Sequence, residues 1–364
     1  MNLSSEIAFT APPVIRPDSS TRITWESPSN IALVKYWGKH GIQLPANPSL
    51  SLTLKHSVTT MEFTVIASKP GQGKLKAFYF ENQLNIAFSD RFGVFLKSLC
   101  PIFPFLADVD IIIKSQNTFP HSAGIASSAS GFSALALCIC SFQQMYLPLP
   151  LSENQFRLSA SRIARLGSGS ASRSVYPGYS VWGKTPVFPG SDDEWAIAIN
   201  KDIHSEFENL GDAVLLVNTN TKTISSSQGH ALMQNHPYRD ARVSQASSNL
   251  QLLANSLQNG DWDAFISITE NEALSLHALM ASSSPGFILM SSHTIDIIHR
   301  IRDYRQRTST PICFTLDAGP NVHLLYRMSD KNEIKHFIET ELLAFCEDGR
   351  WIDDEEGKGP KRLN

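Results

Sequence analysis

The chain has 364 residues, 42% of them hydrophobic, enough for two domains with substantial cores. Its net charge of −3, from 31 basic and 34 acidic residues, provides no global field for nucleic acid or an anionic membrane, so an anionic ligand must be held by local charges. The five cysteines are scattered, none spaced as Cys-x-x-Cys, and the eleven histidines show no paired-ligand spacing, which excludes the common zinc and redox motifs and leaves buried free thiols.

Met1 to Asp18 includes Glu6 and no long apolar run, so it does not read as a signal peptide. Thr21 to Glu26, Ile31 to Val34 and Ser49 to Ser57 are expected to be strands, and Thr60 to Ala67 with Lys74 to Glu81 a hairpin around Pro70-Gly71-Gln72-Gly73. Asp108 to Lys114 is a short apolar strand leading through Asn117 to Pro120 into Phe119-Pro120-His121-Ser122-Ala123-Gly124-Ile125-Ala126-Ser127-Ser128-Ala129-Ser130-Gly131. There a helix from about Gly124 to Tyr146 begins, apolar nearly all round and hence central. Its strongly apolar part, Phe132 to Phe142, is too short to span a bilayer. These features give the expectation of a cytoplasmic protein without membrane or nucleic-acid partners.

A helix start rich in small residues and hydroxyls suits phosphate, because free N–H groups and the positive end of the helix dipole meet there. Gly124, Ala126 and Ala129 let oxygens reach the backbone, and the hydroxyls of Ser127 and Ser128 add donors or a Mg²⁺ ligand. The loop has neither the Gly-Lys-Ser/Thr ending of a Walker A motif nor the dinucleotide fingerprint. A Ser-rich N-cap on a packed helix explains the same residues.

A second helix, Glu153 to Leu166, ends in Gly167-Ser168-Gly169-Ser170-Ala171-Ser172-Arg173-Ser174, where Arg173 offers a bidentate clamp for a carboxylate or phosphate, or a helix-end ion pair. Strands at Trp195 to Asn200 and Ala213 to Val217 precede helices near Arg239 to Leu257, Trp262 to Met280 and Thr294 to Arg302. Thr310 to Leu316 and Val322 to Tyr326 form strands around a turn at Asp317-Ala318-Gly319-Pro320-Asn321. An amphipathic helix follows, marked by Ile334, Phe337, Ile338, Leu342 and Phe345, and the charged end from Glu347 to Asn364 reads as a solvated tail. The organisation is α+β, with a domain boundary near Leu210: residues 1–209, then 210–364 with a flexible tail from about 350.

Asn30-Ile31-Ala32-Leu33-Val34-Lys35-Tyr36-Trp37-Gly38-Lys39 places cations just after an apolar strand. Together with the loop at Phe119, the Gly-Ser-Gly-Ser-Ala-x-Arg-Ser segment and Asp-Ala-Gly-Pro-Asn, it resembles the diphosphomevalonate decarboxylases of the GHMP kinase superfamily, all four motifs in order from Asn30 to Asn321. The departures are His121-Ser122 in place of Thr-Ala and Ser172 in place of the common Cys.

The resemblance implies an N-terminal domain like ribosomal protein S5 domain 2, a ferredoxin-like C-terminal domain, and a site between them. It also implies an ATP- and Mg²⁺-dependent reaction that phosphorylates the tertiary hydroxyl of mevalonate diphosphate and then loses phosphate and CO₂ to give isopentenyl diphosphate. On that reading Asp317 and Lys35 are catalytic. Asn30, Tyr36, Lys39, Ser168, Ser170 and Arg173 bind substrate. Gly124, Ala126, Ser127 and Ser128 hold ATP, with Ser127 first choice for the metal. Ser225-Ser226-Ser227-Gln228-Gly229-His230 resembles a further substrate-side loop. A homodimer is implied. Rivals on the same fold are a phosphomevalonate decarboxylase, a mevalonate 3-kinase, disfavoured by the Lys35 and Asp317 pair, and a non-catalytic ligand sensor.

Overall fold

The computed structural model describes residues 20–120, 125–199, 201, 203–219 and 226–364. Gly124, His121, Ser122 and Ser225 therefore lie outside the described residues. The first lobe is built from β1 (Ser20–Val34), β2 (Lys39–His40), β3 (Leu44–Pro45), β4 (Ser49–Ala67), β5 (Leu75–Phe80), β6 (Gln83–Leu84), α1 (Ile86–Ser98), β7 (Val109–Asn117), α2 (Ser127–Gln144), α3 (Glu153–Gly167), β8 (Tyr179–Trp182) and β9 (Ala196–Ala198). The second has β10 (Leu210–Leu215), α4 (Ser226–Leu232), α5 (Arg239–Asn259), α6 (Trp262–Ala281), α7 (Ser292–Thr308), β11 (Ile312–Thr315), β12 (Val322–Arg327), α8 (Lys331–Phe337) and β13 (Trp351–Glu355), while β14 (Lys361–Arg362) returns to the first sheet. No helix among the described residues is long and apolar enough to cross a membrane.

Two expected strands fuse into β1, with a register shift between Pro28 and Asn30 where the proline interrupts the ladder. The burial of β1 explains its position. Ile23 and Trp25 alternate with partly exposed neighbours, whereas Ser27 to Val34 is buried at every residue, because this half is covered on both faces. One face meets the aromatic core beneath α2; on the other, Ile31, Leu33 and Val34 share a core with Leu250 and Leu253 of α5 and Phe265 of α6. The lobes are thus joined by a common apolar core at the end of β1, where Lys35 follows.

The expected hairpin does not form. The first sheet runs β14-β1-β4-β7-β5-β6, so β7 lies between β4 and β5, antiparallel to one and parallel to the other. The linker is tied to the segment before β7: Ser68 N–H donates to Asp108 O and Gly73 N–H to Ala107 O.

The expected solvated tail is also corrected. β13 pairs with β10 and β14 with β1, and Asp354 is fully buried. Its carboxylate accepts the backbone N–H groups of Lys55, His56 and Ser57 at 2.8–2.9 Å, where β4 departs from regular pairing, so this acid binds the second lobe to the first.

The glycines after α3 are explained by packing. A Cβ at Gly167 would lie 2.1 Å from the Phe132 ring, and one at Gly169 would lie 2.6 Å from Trp182 and 2.9 Å from Tyr36. Gly169→Ala is accordingly expected to destabilise by about 1–3 kcal/mol through overpacking, read as a lower midpoint in thermal or urea unfolding.

Candidate active site

Lys35 and Asp317, 282 residues apart, meet between the lobes with Nζ 3.0 Å from Oδ1. The Lys35 side chain is almost fully buried and Asp317 is a quarter exposed, so the carboxylate faces the cleft and the ammonium supports it from behind. Lys35 Nζ also donates to Ala32 O at 2.5 Å, and Thr315 Oγ1 donates to the same carbonyl at 3.4 Å. Burial pulls the Lys35 ammonium below its ordinary range, Arg173 adds to this, and Asp317 and then Glu272 oppose it. His277 Nε2 lies 3.1 Å from the Asp317 carbonyl and fixes the backbone of the turn.

Arg173 is buried on the first-lobe side of the same cleft. Its Nε donates to Asn30 Oδ1 at 3.3 Å and one Nη to Ser49 Oγ, which set the plane of the guanidinium. Asn30 Nδ2 donates to Ser170 O and Ser174 Oγ, so both ends of this amide are engaged by protein groups at the edge of the cleft. Burial pulls the Arg173 pKa down to about 10, with Asp317 and Tyr36 resisting. Such a cation is one for which a bound anion would be a strong partner.

The helix start lies next to this group. Ser128 Oγ is 3.2 Å from Ser168 Oγ, which is 3.3 Å from Ser170 Oγ, a chain of hydroxyls from α2 to the loop bearing Arg173. α2 begins at Ser127 and not at Gly124 as expected, and its N-cap, Ala126, has φ 42° and ψ 46° and makes no side-chain cap. Among the described residues no side chain caps these first-turn N–H groups, and a left-handed alanine is backbone strain of the kind found at binding loops. Ser29 Oγ holds the loop by donating to Ile125 O at 2.6 Å.

Tyr36 and Lys39 form the next wall. Tyr36 sits edge-on to Trp182 at 4.7 Å and against His230 at 4.2 Å, and burial raises its hydroxyl pKa, so it remains a donor. Lys39, in the β2–β3 hairpin, donates to Gln43 Oε1 at 2.8 Å. His230, packed between the rings of Tyr36 and Trp37, accepts the Gly38 N–H through Nδ1 at 3.0 Å. Burial, with Lys39 and Arg173 close by, pulls its pKa down to about 3, so the ring is neutral and carries its proton on Nε2.

Several neighbours are not singled out by the sequence motifs. Glu272 and Arg242 contact the Lys35 peptide. A carboxylate within the buried stripe Phe265, Ile268, Thr269, Leu276 of α6 is the available signal, since an acid on an apolar face needs partners. Beside Ser127 and Ser128 opens a pocket lined by Phe78, Phe80, Phe88, Arg91 and Phe92. Its aromatics come from β5 and α1, segments without a legible motif.

Two lobes with a shared core, an uncapped helix start in one and a lysine-held acid contributed by the other constitute the fold of the GHMP kinase superfamily. Residues 27–193 match the family model for the diphosphomevalonate decarboxylase-like N-terminal domain and residues 213–357 that for the mevalonate 5-diphosphate decarboxylase C-terminal domain. A diphosphomevalonate decarboxylase of Aspergillus fumigatus is 30% identical over 88% of this chain and 80% of its own length, and that of Saccharomyces cerevisiae 29% over 86% and 79%. The mevalonate diphosphate decarboxylase of Staphylococcus aureus superposes with a TM-score of 0.80 at 26% identity, covering 95% of this chain and 99% of that one. A further solved structure, a complex with MVAPP, AMPPCP and magnesium, gives a TM-score of 0.79 at 26% identity, covering 95% of this chain and all of that one. The chain belongs to the diphosphomevalonate decarboxylase family.

Proposed function

We propose that this chain catalyses the ATP-dependent decarboxylation of mevalonate 5-diphosphate to isopentenyl diphosphate, with ADP, phosphate and CO₂ as co-products, in the mevalonate route to isoprenoids. The observation that carries the assignment of roles is the Lys35–Asp317 contact, a carboxylate open to the cleft and backed by a buried ammonium. Asp317 accepts the proton of the tertiary hydroxyl as that oxygen is phosphorylated, and Lys35 keeps the acid ionised beforehand and offsets charge near the phosphates. Arg173, with its plane fixed by Asn30 and Ser49, orients the substrate carboxylate. Tyr36, Lys39, Ser168 and Ser170 receive the diphosphate, joined by the neutral His230 through its Nε2–H.

The uncapped start of α2, with Ala126, Ser127 and Ser128, holds the ATP phosphates, and Gly124 is assigned with them from the motif. The pocket of Phe78, Phe80, Phe88, Phe92 and Arg91 beside it has the aromatic lining on which adenine stacks. No group of three His, Cys, Asp or Glu side chains among the described residues forms a metal cage. That agrees with Mg²⁺, which binds largely through phosphate oxygens and water, leaving Ser127 to supply a hydroxyl ligand. Bound there, the ion supplies neutralisation of phosphate charge.

The test is an incubation of purified protein with ATP, Mg²⁺ and mevalonate, its 5-phosphate or its 5-diphosphate, with ADP, phosphate and CO₂ measured separately. Equal release of all three with the diphosphate is expected. ADP without CO₂ would make it a kinase, preference for the monophosphate a phosphomevalonate decarboxylase, and ATP binding without turnover a sensor. The cytoplasmic location expected from the sequence is checked by cell fractionation, and the homodimer implied by the resemblance by light scattering.

A further inference from the structure

Lys35 is the first residue beyond β1, and its peptide has left the sheet ladder while still buried. Its N–H donates to Glu272 Oε2 at 2.8 Å, and its carbonyl accepts Asn47 Nδ2 at 3.0 Å and Arg242 Nη2 at 3.2 Å. Two of these three side chains belong to the other lobe, Arg242 on α5 and Glu272 on α6. Glu272 is wholly buried and takes four donors: the Lys35 N–H, both Nη groups of Arg242 at 2.6 and 2.7 Å, and Asn249 Nδ2 at 2.6 Å. Gln245 Oε1 accepts from Arg242 at 3.0 Å, so the guanidinium is held from both sides.

A buried ion pair is a poor source of stability, because desolvation offsets most of its attraction and an apolar pair of the same volume often serves as well. Its placement is therefore informative. Of the surfaces the second lobe offers to the first, this charged pair grips the peptide of the one buried lysine that touches Asp317, and Asp317 is itself carried by the second lobe. Acid and ammonium thus reach each other across two independent attachments: directly through Nζ and Oδ1, and through the α5–α6 pair holding the Lys35 backbone.

We propose that Arg242 and Glu272 are positioning residues, a clamp by which the second lobe fixes the Lys35 peptide so that its ammonium is aligned on Asp317. The proposal rests on the assignment of Lys35 and Asp317 as the acid–base pair. Displacing an aligned group by about 1 Å can lower turnover about 100-fold, so kcat is the sensitive quantity. The KM values for both substrates depend on the α2 loop and on Arg173, Tyr36 and Lys39, none of which the clamp touches through a hydrogen bond. The clamp also acts through charge. The groups facing Lys35 are Asp317 from the β11–β12 turn, Glu272 from α6, Arg242 from α5, Arg173 after α3 and Asp212 from β10. Of these, Glu272 is an acid that helps keep the ammonium protonated.

The experiment compares Glu272→Gln, Arg242→Gln, the double variant and Lys35→Met in the full chain. Either single change leaves a buried charge unpaired and can impair folding; the double change removes both charges and is expected to fold, as judged by thermal unfolding and nucleotide binding. For the double variant we expect kcat to fall about 10- to 100-fold with both KM values little changed. For Glu272→Gln we expect the alkaline limb of the kcat profile to move to lower pH, since Lys35 loses its proton sooner, a shift that packing loss alone would not produce. A folded double variant with wild-type kcat, or an unmoved alkaline limb in folded Glu272→Gln, overturns the clamp. If Lys35→Met retains full turnover, the acid–base assignment falls and the clamp with it; if Lys35→Met is inactive while the double variant is unimpaired, only the clamp falls.

Discussion

Asp317→Asn is expected to lower kcat by about 10²–10⁴-fold, the contribution typical of a positioned general base, while nucleotide affinity is retained. Asparagine has the shape of aspartate and can still accept the Lys35 hydrogen bond, so the geometry at 3.0 Å survives the change. It cannot accept a proton. Asp317 is also the largest influence opposing the burial that drives Lys35 toward neutrality. The variant therefore loses the base outright and in addition lets the lysine shed its proton at lower pH. Two losses from one substitution place this effect above any other single change in the cleft. Rapid-quench measurement of ADP separates the steps: the variant should bind ATP and mevalonate diphosphate yet form ADP and CO₂ together at the same strongly reduced rate. ADP formation at the wild-type rate would remove Asp317 from the phosphorylation step.

How far the site was legible depends on how local its parts are. Lys35, Arg173, the α2 serines and Asp317 each sit at a junction of strand or helix with a loop, where residue types are unusual enough to stand out as motifs. Their meeting was not legible, since contacts spanning 282 residues leave no periodicity. Arg242 and Glu272 lie inside ordinary helices, and only the charge on an apolar face marks them. The fold erred where pairing is non-local. A Pro-Gly linker between two strands reads as a hairpin, but the strand that divides them, β7, follows only after β6 and α1, and sequence distance gives no warning of it. The charged end reads as solvated because acids dominate Asp353 to Glu356, yet strand alternation turns Asp354 inward to three peptide N–H groups that have no ladder partners.

Arg173→Gln should produce a different loss. Removing one member of a buried charge pair formed with a ligand typically costs about 2–5 kcal/mol, which at 1.4 kcal/mol per factor of ten is about 30- to 4,000-fold in kcat/KM. The fold should tolerate the change. With burial pulling its pKa to about 10, the arginine is a cation the protein holds at some expense of solvation, and a neutral side chain relieves that burden, so the unfolding midpoint should not fall. Lysine should not rescue activity, because Asn30 and Ser49 fix the plane of a forked guanidinium that a point charge cannot reproduce. The deciding quantity is the ratio of products. A substrate carboxylate leaves as neutral CO₂, so a strong grip on it would resist departure, and the benefit of Arg173 must lie in aligning the carboxylate with the phosphorylated oxygen for elimination. In a single turnover of Arg173→Gln, ADP should therefore form faster than CO₂, with the phosphorylated intermediate accumulating between them. Equal slowing of both products at unchanged KM would mean that Arg173 serves the phosphoryl transfer instead of the carboxylate.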